Sequence, residues 1–132
     1  MRKFKTDILI RDNRLEQMQN MGIKVNHEIL SDENYIVELK RKLIEESTEA
    51  MQENDIEELK HEIADVLEVV DHLIEACGFD REELSKIKKE KQEKIGGFKR
   101  RIKTSSVEME EDNEGSLNYY TTRPHKYPEI LG

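Results

Sequence analysis

The chain has 132 residues, of which 35% are hydrophobic and 39% charged, and its formal net charge is −8. This length fits one domain with a modest core, and the acidic balance argues against nucleic acid as the main partner, because that binding depends on clustered Lys and Arg. No apolar run approaches the roughly 18 residues that a membrane span needs. The single cysteine, Cys77, fits a reducing compartment. We therefore expect a cytoplasmic protein with no membrane partner.

The first third of the chain begins irregularly and then predicts a short helix. Residues 1–10 form a lead-in, and the helix begins at Arg11–Asp12, with Asp12 as its N-cap. Gly22 follows the last apolar residue of the pattern and ends the helix. Residues 23–30 partly alternate between apolar and polar, which favours a short extended segment.

Two longer helices follow. Ser31 caps the first, which runs to about Glu53, and Asp55 begins the second. Glu58, three residues after Asp55, makes a pair resembling a capping box, and Gly78 ends the second helix. The predicted buried stripes are Ile36, Leu39, Leu43, Ser47 and Ala50 in the first helix, and Leu59, Ile63, Val66, Leu67, Val70, Leu73, Ile74 and Cys77 in the second.

A third long helix begins after Asp80 and ends at Gly96–Gly97. We divide the chain into a helical domain, 1–103, and an acidic linker with a Tyr- and Pro-containing tail, 104–132. The predicted fold is an all-α antiparallel helical bundle with an irregular C-terminal arm. Because apolar residues are few, we expect homo-oligomerisation, as a homodimer or homotetramer, to complete the core.

Acidic side chains recur at helical spacing on the two consecutive long helices. Glu46 and Glu49 lie three residues apart and share a face, as do Glu62 and Asp65. If the two helices are antiparallel neighbours, these four carboxylates converge and repel one another unless cations join them. Hard divalent ions with oxygen ligands fit best, and Mg²⁺ in particular keeps positions open for substrate phosphates.

Two other interpretations of this region remain open. The acidic residues can be a solvated helix surface paired with bases such as Lys42, since the chain contains 30 acids. Alternatively, His61, Asp65 and His72 share a face with the spacing of a transition-metal site, although that face lies opposite the predicted core. The four carboxylates border apolar residues on both helices, which favours the Mg²⁺ site. His72, two turns beyond Asp65, is a candidate substrate contact.

A second chemical feature lies at the end of the third long helix. Lys91 and Lys94 precede Gly96–Gly97, and Arg100–Arg101 follow. Glycines allow a ligand to approach the backbone closely, and the flanking bases favour phosphate oxygens. Beside an acidic metal site, this loop supplies the complementary charge.

These motifs, in this order, resemble the MazG-like all-α nucleoside triphosphate pyrophosphohydrolase superfamily, whose signature is Glu-Glu-x-x-Glu followed by Glu-x-x-Asp. Within it, the chain looks most like the phosphoribosyl-ATP pyrophosphohydrolase-like subgroup. The resemblance covers about residues 8–103 and depends on Arg11–Asp12, Glu45–Glu49, Glu62–Asp65, Asp65–Val69 and Gly96–Phe98. The chain departs from the subgroup at Asn13–Leu15, where Lys-Ile-Pro is expected.

The resemblance implies a Mg²⁺-dependent hydrolase that cleaves a nucleoside triphosphate between its α- and β-phosphates. It assigns the ion or ions to Glu46, Glu49, Glu62 and Asp65, and the orientation or deprotonation of the attacking water to Glu45. Phosphates would be approached by Lys91, Lys94 and, as a weaker candidate, Arg11. The alternatives are the phosphoribosyl-ATP step of histidine biosynthesis and a helical interaction module without turnover.

Overall fold

The computed structural model describes residues 1–132 and contains five helices and no strand, so the all-α fold class is confirmed. None of the helices is both long and apolar enough to cross a membrane. The helices are α1 (Asp12–Asn20), α2 (Asp32–Gln52), α3 (Ile56–Cys77), α4 (Arg81–Ile95) and α5 (Glu114–Thr121).

The chain divides into two compact units, Met1–Lys94 and Ile95–Gly132. The first contains α1, α2, α3 and nearly all of α4, and the second contains α5. The functional boundary that the sequence suggests, between residues 103 and 104, therefore lies inside the second unit.

The ends of α2 and α3 follow the capping residues that the sequence predicts. The Ser31 hydroxyl accepts a hydrogen bond from the Asn34 N–H at 3.2 Å, and an Asp55 carboxylate oxygen accepts from the Glu57 N–H at 2.9 Å. Each satisfies one of the unpaired N–H groups of a helix start. Gly78 ends α3 in the left-handed conformation with φ of 68°, where a side chain would be strained.

Three local predictions differ from the structure. The N–H of Asp55 is bound by Glu53, the residue before the turn, at 3.0 Å, so Glu58 is not its capping-box partner. Arg11 takes the N-cap position of α1, so Asp12 is the first helical residue. There its negative charge still interacts favourably with the positive end of the helix dipole. Residues 23–30 form no strand, because an isolated short segment has no partner for its backbone groups.

α2 and α3 form an antiparallel hairpin, and they are the one pair of helices with extensive mutual contact. Glu49 lies near Glu62, while Glu46, one turn earlier in α2, lies near Asp65, one turn later in α3. The most buried residues of the hairpin are Leu39, Val69 and Glu46. The core of the first unit is therefore the line along which these two helices pack.

α3 has two apolar faces, which the sequence pattern had merged into one. Val69, outside the predicted stripe, is only 7% exposed, whereas Ile63 and Leu67 within it are 46% and 58% exposed. The face toward α2 is centred on Val69 and includes Glu62 and the half-buried Val66. The second face lies beside the first and carries most of the larger aliphatic side chains. For this reason the hydrophobic periodicity of the sequence predicted that the second face is buried.

The second unit contains a helix where the sequence predicts an irregular arm. The rings of Tyr119, Tyr120 and Tyr127 pack together with centroids 5.1 to 5.9 Å apart. The Cζ atom of Arg123 lies 4.1 Å from the centroid of the Tyr119 ring, and Nη1 of Arg123 donates a hydrogen bond to the Tyr119 carbonyl. These aromatic contacts pack the last turn of α5 against the residues that follow it, which composition alone does not reveal.

Candidate metal centre

Three carboxylates from the two packed helices converge on one point of the hairpin. One oxygen from each of Glu46, Glu49 and Glu62 lies within 4.8 Å of the other two. Glu46 and Glu49 share a face of α2, and the antiparallel packing brings Glu62 of α3 opposite them. The sequence predicted this convergence from i, i+3 spacing, and for these three residues the structure agrees.

Two oxygens of the cluster are buried without partners. Glu46 is only 9% exposed, since it lies two turns from Leu39 on the face that packs against α3. Neither Glu46 Oε2 nor Glu62 Oε2 has a hydrogen-bond partner, and both are inaccessible to solvent. A buried acceptor without a donor is unfavourable, and an ionised one more so.

Burial and like charge also raise the pKa values of two carboxyl groups of the cluster. Burial raises the pKa of Glu46, and the neighbouring Glu49 carboxylate raises it further through a shared hydrogen bond and charge repulsion. Burial also raises the pKa of Glu62, followed by repulsion from Glu49 and Asp65. Glu46 and Glu62 therefore keep their protons to a higher pH than isolated glutamates do.

Asp65, the fourth predicted ligand, is held by a base. Arg11 Nη2 donates to Asp65 Oδ1 at 2.8 Å, and Arg11 Nη1 lies 3.9 Å from Glu68 Oε1. Asp65 is close enough to Glu46 and Glu62 to repel their charges, but it is not one of the three carboxylates within 4.8 Å. Arg11 therefore pairs with a carboxylate beside the cluster, and its role with phosphates stays a prediction.

Glu45, the predicted water-activating acid, is paired with a lysine on its own helix. Lys42 Nζ lies 3.2 Å from Glu45 Oε2 and 3.7 Å from Glu46 Oε1, and the Lys42 side chain is only 17% exposed. From the sequence, Lys42 was expected only to pair with acids on a solvated helix surface. Its spacing of three and four residues from the two glutamates was the available signal, and its burial makes it a member of the site.

The remaining predicted residues are not joined to the cluster. Lys91 and Lys94 of α4 are exposed and form no ion pair or hydrogen bond with its carboxylates, and their role with phosphates stays a prediction. His72 is exposed, and its Nε2 lies 2.9 Å from Glu68 Oε1.

The donor set fits a hard divalent cation. Carboxylate oxygens are the ligands that Mg²⁺ and Ca²⁺ prefer, and the two partnerless oxygens of Glu46 and Glu62 would gain a positive partner. Imidazole is not part of the cluster, since His61 and His72 are both exposed and outside it. The cluster therefore lacks the imidazole ligands of a histidine-bound transition-metal site.

No protein-family model, curated protein or solved structure matches this chain.

Proposed function

We propose that the chain is a Mg²⁺-dependent nucleotide pyrophosphohydrolase of the MazG-like type, which hydrolyses a nucleoside triphosphate to a monophosphate and pyrophosphate. The observation that carries this proposal is the convergence of Glu46, Glu49 and Glu62 within 4.8 Å. Support also comes from the resemblance of the acidic motifs, which supplies the reaction and the position of cleavage.

Glu46, Glu49 and Glu62 would hold the ion, and Asp65 would join them when Arg11 releases or shares its carboxylate. A bound Mg²⁺ supplies neutralisation of phosphate charge, orientation of the reacting group and a lower pKa for water. Glu45 would orient or deprotonate the attacking water, and Lys42 beside it would place a positive charge near the phosphate oxygens. Lys91 and Lys94 would approach the phosphates from α4.

Release of pyrophosphate from a panel of nucleoside triphosphates and phosphoribosyl-ATP, with and without Mg²⁺, tests the proposal. We expect Mg²⁺-dependent release that Glu49→Ala and Asp65→Ala abolish. Glu58→Ala, which removes an exposed acid of α3 outside the cluster, is the matched control. Hydrolysis of phosphoribosyl-ATP alone would select the histidine-pathway reaction, and the absence of turnover on every substrate would favour an interaction module.

We further propose that a second copy of the chain covers the second apolar face of α3. That face consists of Ile63, Leu67, Val70, Ile74 and Cys77, which alternate at four and three residues. This is the spacing of a helix–helix seam, and α2 does not cover Ile63 and Leu67, which stay 46% and 58% exposed. A homodimer or homotetramer formed through this seam would extend the thin core.

Sedimentation velocity tests the assembly. We expect a dimer or tetramer for the unmodified chain and a monomer for Leu67→Lys, because a buried unpaired charge opposes association. Ile44→Lys, which alters a still more exposed aliphatic residue of α2, should leave the assembly unchanged. An unmodified chain that sediments as a monomer would contradict the proposal.

A further inference from the structure

A cleft of about 360 Å³ lies between the start of α2 and the end of α3. Its volume falls within the range of about 300–1,000 Å³ that is typical of small-molecule sites. The lining residues are Asp32, Tyr35, His72, Glu75 and Ala76. None of them belongs to the carboxylate cluster or to the residues predicted to approach phosphates, and His72 is the predicted substrate contact.

The cleft and the carboxylate cluster are connected along one side of α3. Arg11 binds Asp65 and approaches Glu68, and Glu68 contacts His72 at the cleft. His72 lies ten residues beyond Glu62, the α3 residue of the cluster, which is about 15 Å along the helix axis. The distance from a metal ion bound to the α-phosphate to the far edge of the base is comparable in an extended nucleotide, so one substrate can reach both places.

The cleft offers an aromatic ring and several hydrogen-bond acceptors. Tyr35 is half-buried, and burial, followed by repulsion from Glu75, raises the pKa of its hydroxyl. Asp32 and Glu75 accept hydrogen bonds but do not donate when ionised. Nε2 of His72 is already engaged by Glu68. A flat ligand that carries N–H donors therefore matches the cleft, since it stacks on Tyr35 and donates to the carboxylates.

We propose that this cleft binds the base of the nucleotide substrate and prefers bases with an exocyclic amino group. The amino group donates to Glu75, whereas a carbonyl at the same position presents oxygen against a carboxylate. The inference depends on the proposed function for the location of the phosphates, and it adds the substrate class. Adenine and cytosine nucleotides should bind, and uracil nucleotides should be disfavoured.

Calorimetric titration of the full chain in Mg²⁺ with AMP, CMP and UMP tests the preference, because these monophosphates keep the base and the α-phosphate. We expect AMP and CMP to bind about tenfold more tightly than UMP, because one hydrogen bond to a charged acceptor changes affinity by about that factor. Glu75→Gln should remove most of that preference. Tyr35→Leu should weaken binding of all three by about tenfold through lost stacking, and Tyr35→Phe should retain it.

Glu58→Gln, an exposed acid on the same helix as Glu75, is the matched control and should bind all three ligands as the unmodified chain does. Equal affinities for AMP, CMP and UMP, or a preference that survives Glu75→Gln, would overturn the proposal, as would unchanged binding by Tyr35→Leu. A chain whose hydrolysis requires Glu49 but which shows no base preference contradicts the cleft alone. A base preference in a chain whose hydrolysis survives Glu49→Ala contradicts the metal centre alone.

Discussion

Arg11, the residue immediately before α1, binds Asp65 in the middle of α3, with 2.8 Å between Nη2 and Oδ1. The two residues are 54 positions apart in sequence. The contact fixes the start of α1 beside the carboxylate cluster. It also gives Asp65 a cationic partner, whereas Glu46 Oε2 and Glu62 Oε2 are buried without a hydrogen-bond partner.

Replacing Arg11 should strengthen metal binding. Arg11→Gln frees Asp65 to join the other carboxylates, and we expect Mg²⁺ to bind about fivefold more tightly if the exposed ion pair is worth about 1 kcal/mol. Calorimetric titration with Mg²⁺ in the absence of nucleotide measures the change. Arg14→Gln removes an exposed arginine of α1 whose side chain donates a hydrogen bond to Gln17, and it should leave the affinity unchanged. Weaker Mg²⁺ binding by Arg11→Gln would show that Arg11 organises the site instead of competing with the ion.

The raised pKa values of Glu46 and Glu62 predict how stability without metal depends on pH. Because the folded pKa lies above the unfolded value of about 4.3, the folded state holds protons that the unfolded state has lost. Stability from these groups is therefore greatest below the unfolded pKa and decreases as pH rises through the folded pKa. Mg²⁺ should raise Tm more at pH 7.5 than at pH 5, as measured by thermal unfolding in chelator and in Mg²⁺. An equal increase in Tm at both pH values would contradict the prediction.

Glu46→Gln should separate stability from metal binding. The amide keeps the shape of the side chain and removes a buried charge that repels Glu49. We expect a Tm at pH 7.5 that is a few degrees higher in chelator, together with loss of the increase in Tm caused by Mg²⁺. Glu38→Gln, on the same helix and paired only with Arg41, serves as the control. A Glu46→Gln chain that Mg²⁺ still stabilises fully would contradict the assignment of Glu46 as a ligand.

Leu39 should dominate the stability of the hairpin. It is the most buried apolar residue, at 3% exposure, and truncating a fully buried leucine costs about 2–5 kcal/mol. Leu39→Ala should therefore lower the free energy of unfolding in urea by an amount in that range. Val37→Ala, two positions earlier and 44% exposed, should change it by much less. Similar losses for both variants would show that the hairpin core does not carry the stability of this unit.

Sequence reasoning located the helices well because their boundaries depend on local chemistry. Ser31, Asp55 and Gly78 each satisfy backbone groups within a few residues, so the signal and its effect are neighbours in the chain. It failed for the buried face of α3, because the packing of α2 buries Val69 and leaves Leu67 exposed. Sequence reasoning also missed α5, at whose end Tyr119 and Tyr120 pack against Tyr127.

The sequence by itself determined the helical class, the ends of α2, α3 and α4, and the pairing of acids on each helix, since spacing along an α-helix fixes which side chains share a face. Only the tertiary structure decided that Glu46 and Glu62 are buried without partners and that Arg11 holds Asp65. It also decided which face of α3 meets α2. The physical reason is that burial and long-range ion pairs depend on how two helices rotate against each other, and periodicity leaves that rotation open when a helix is apolar on more than one face.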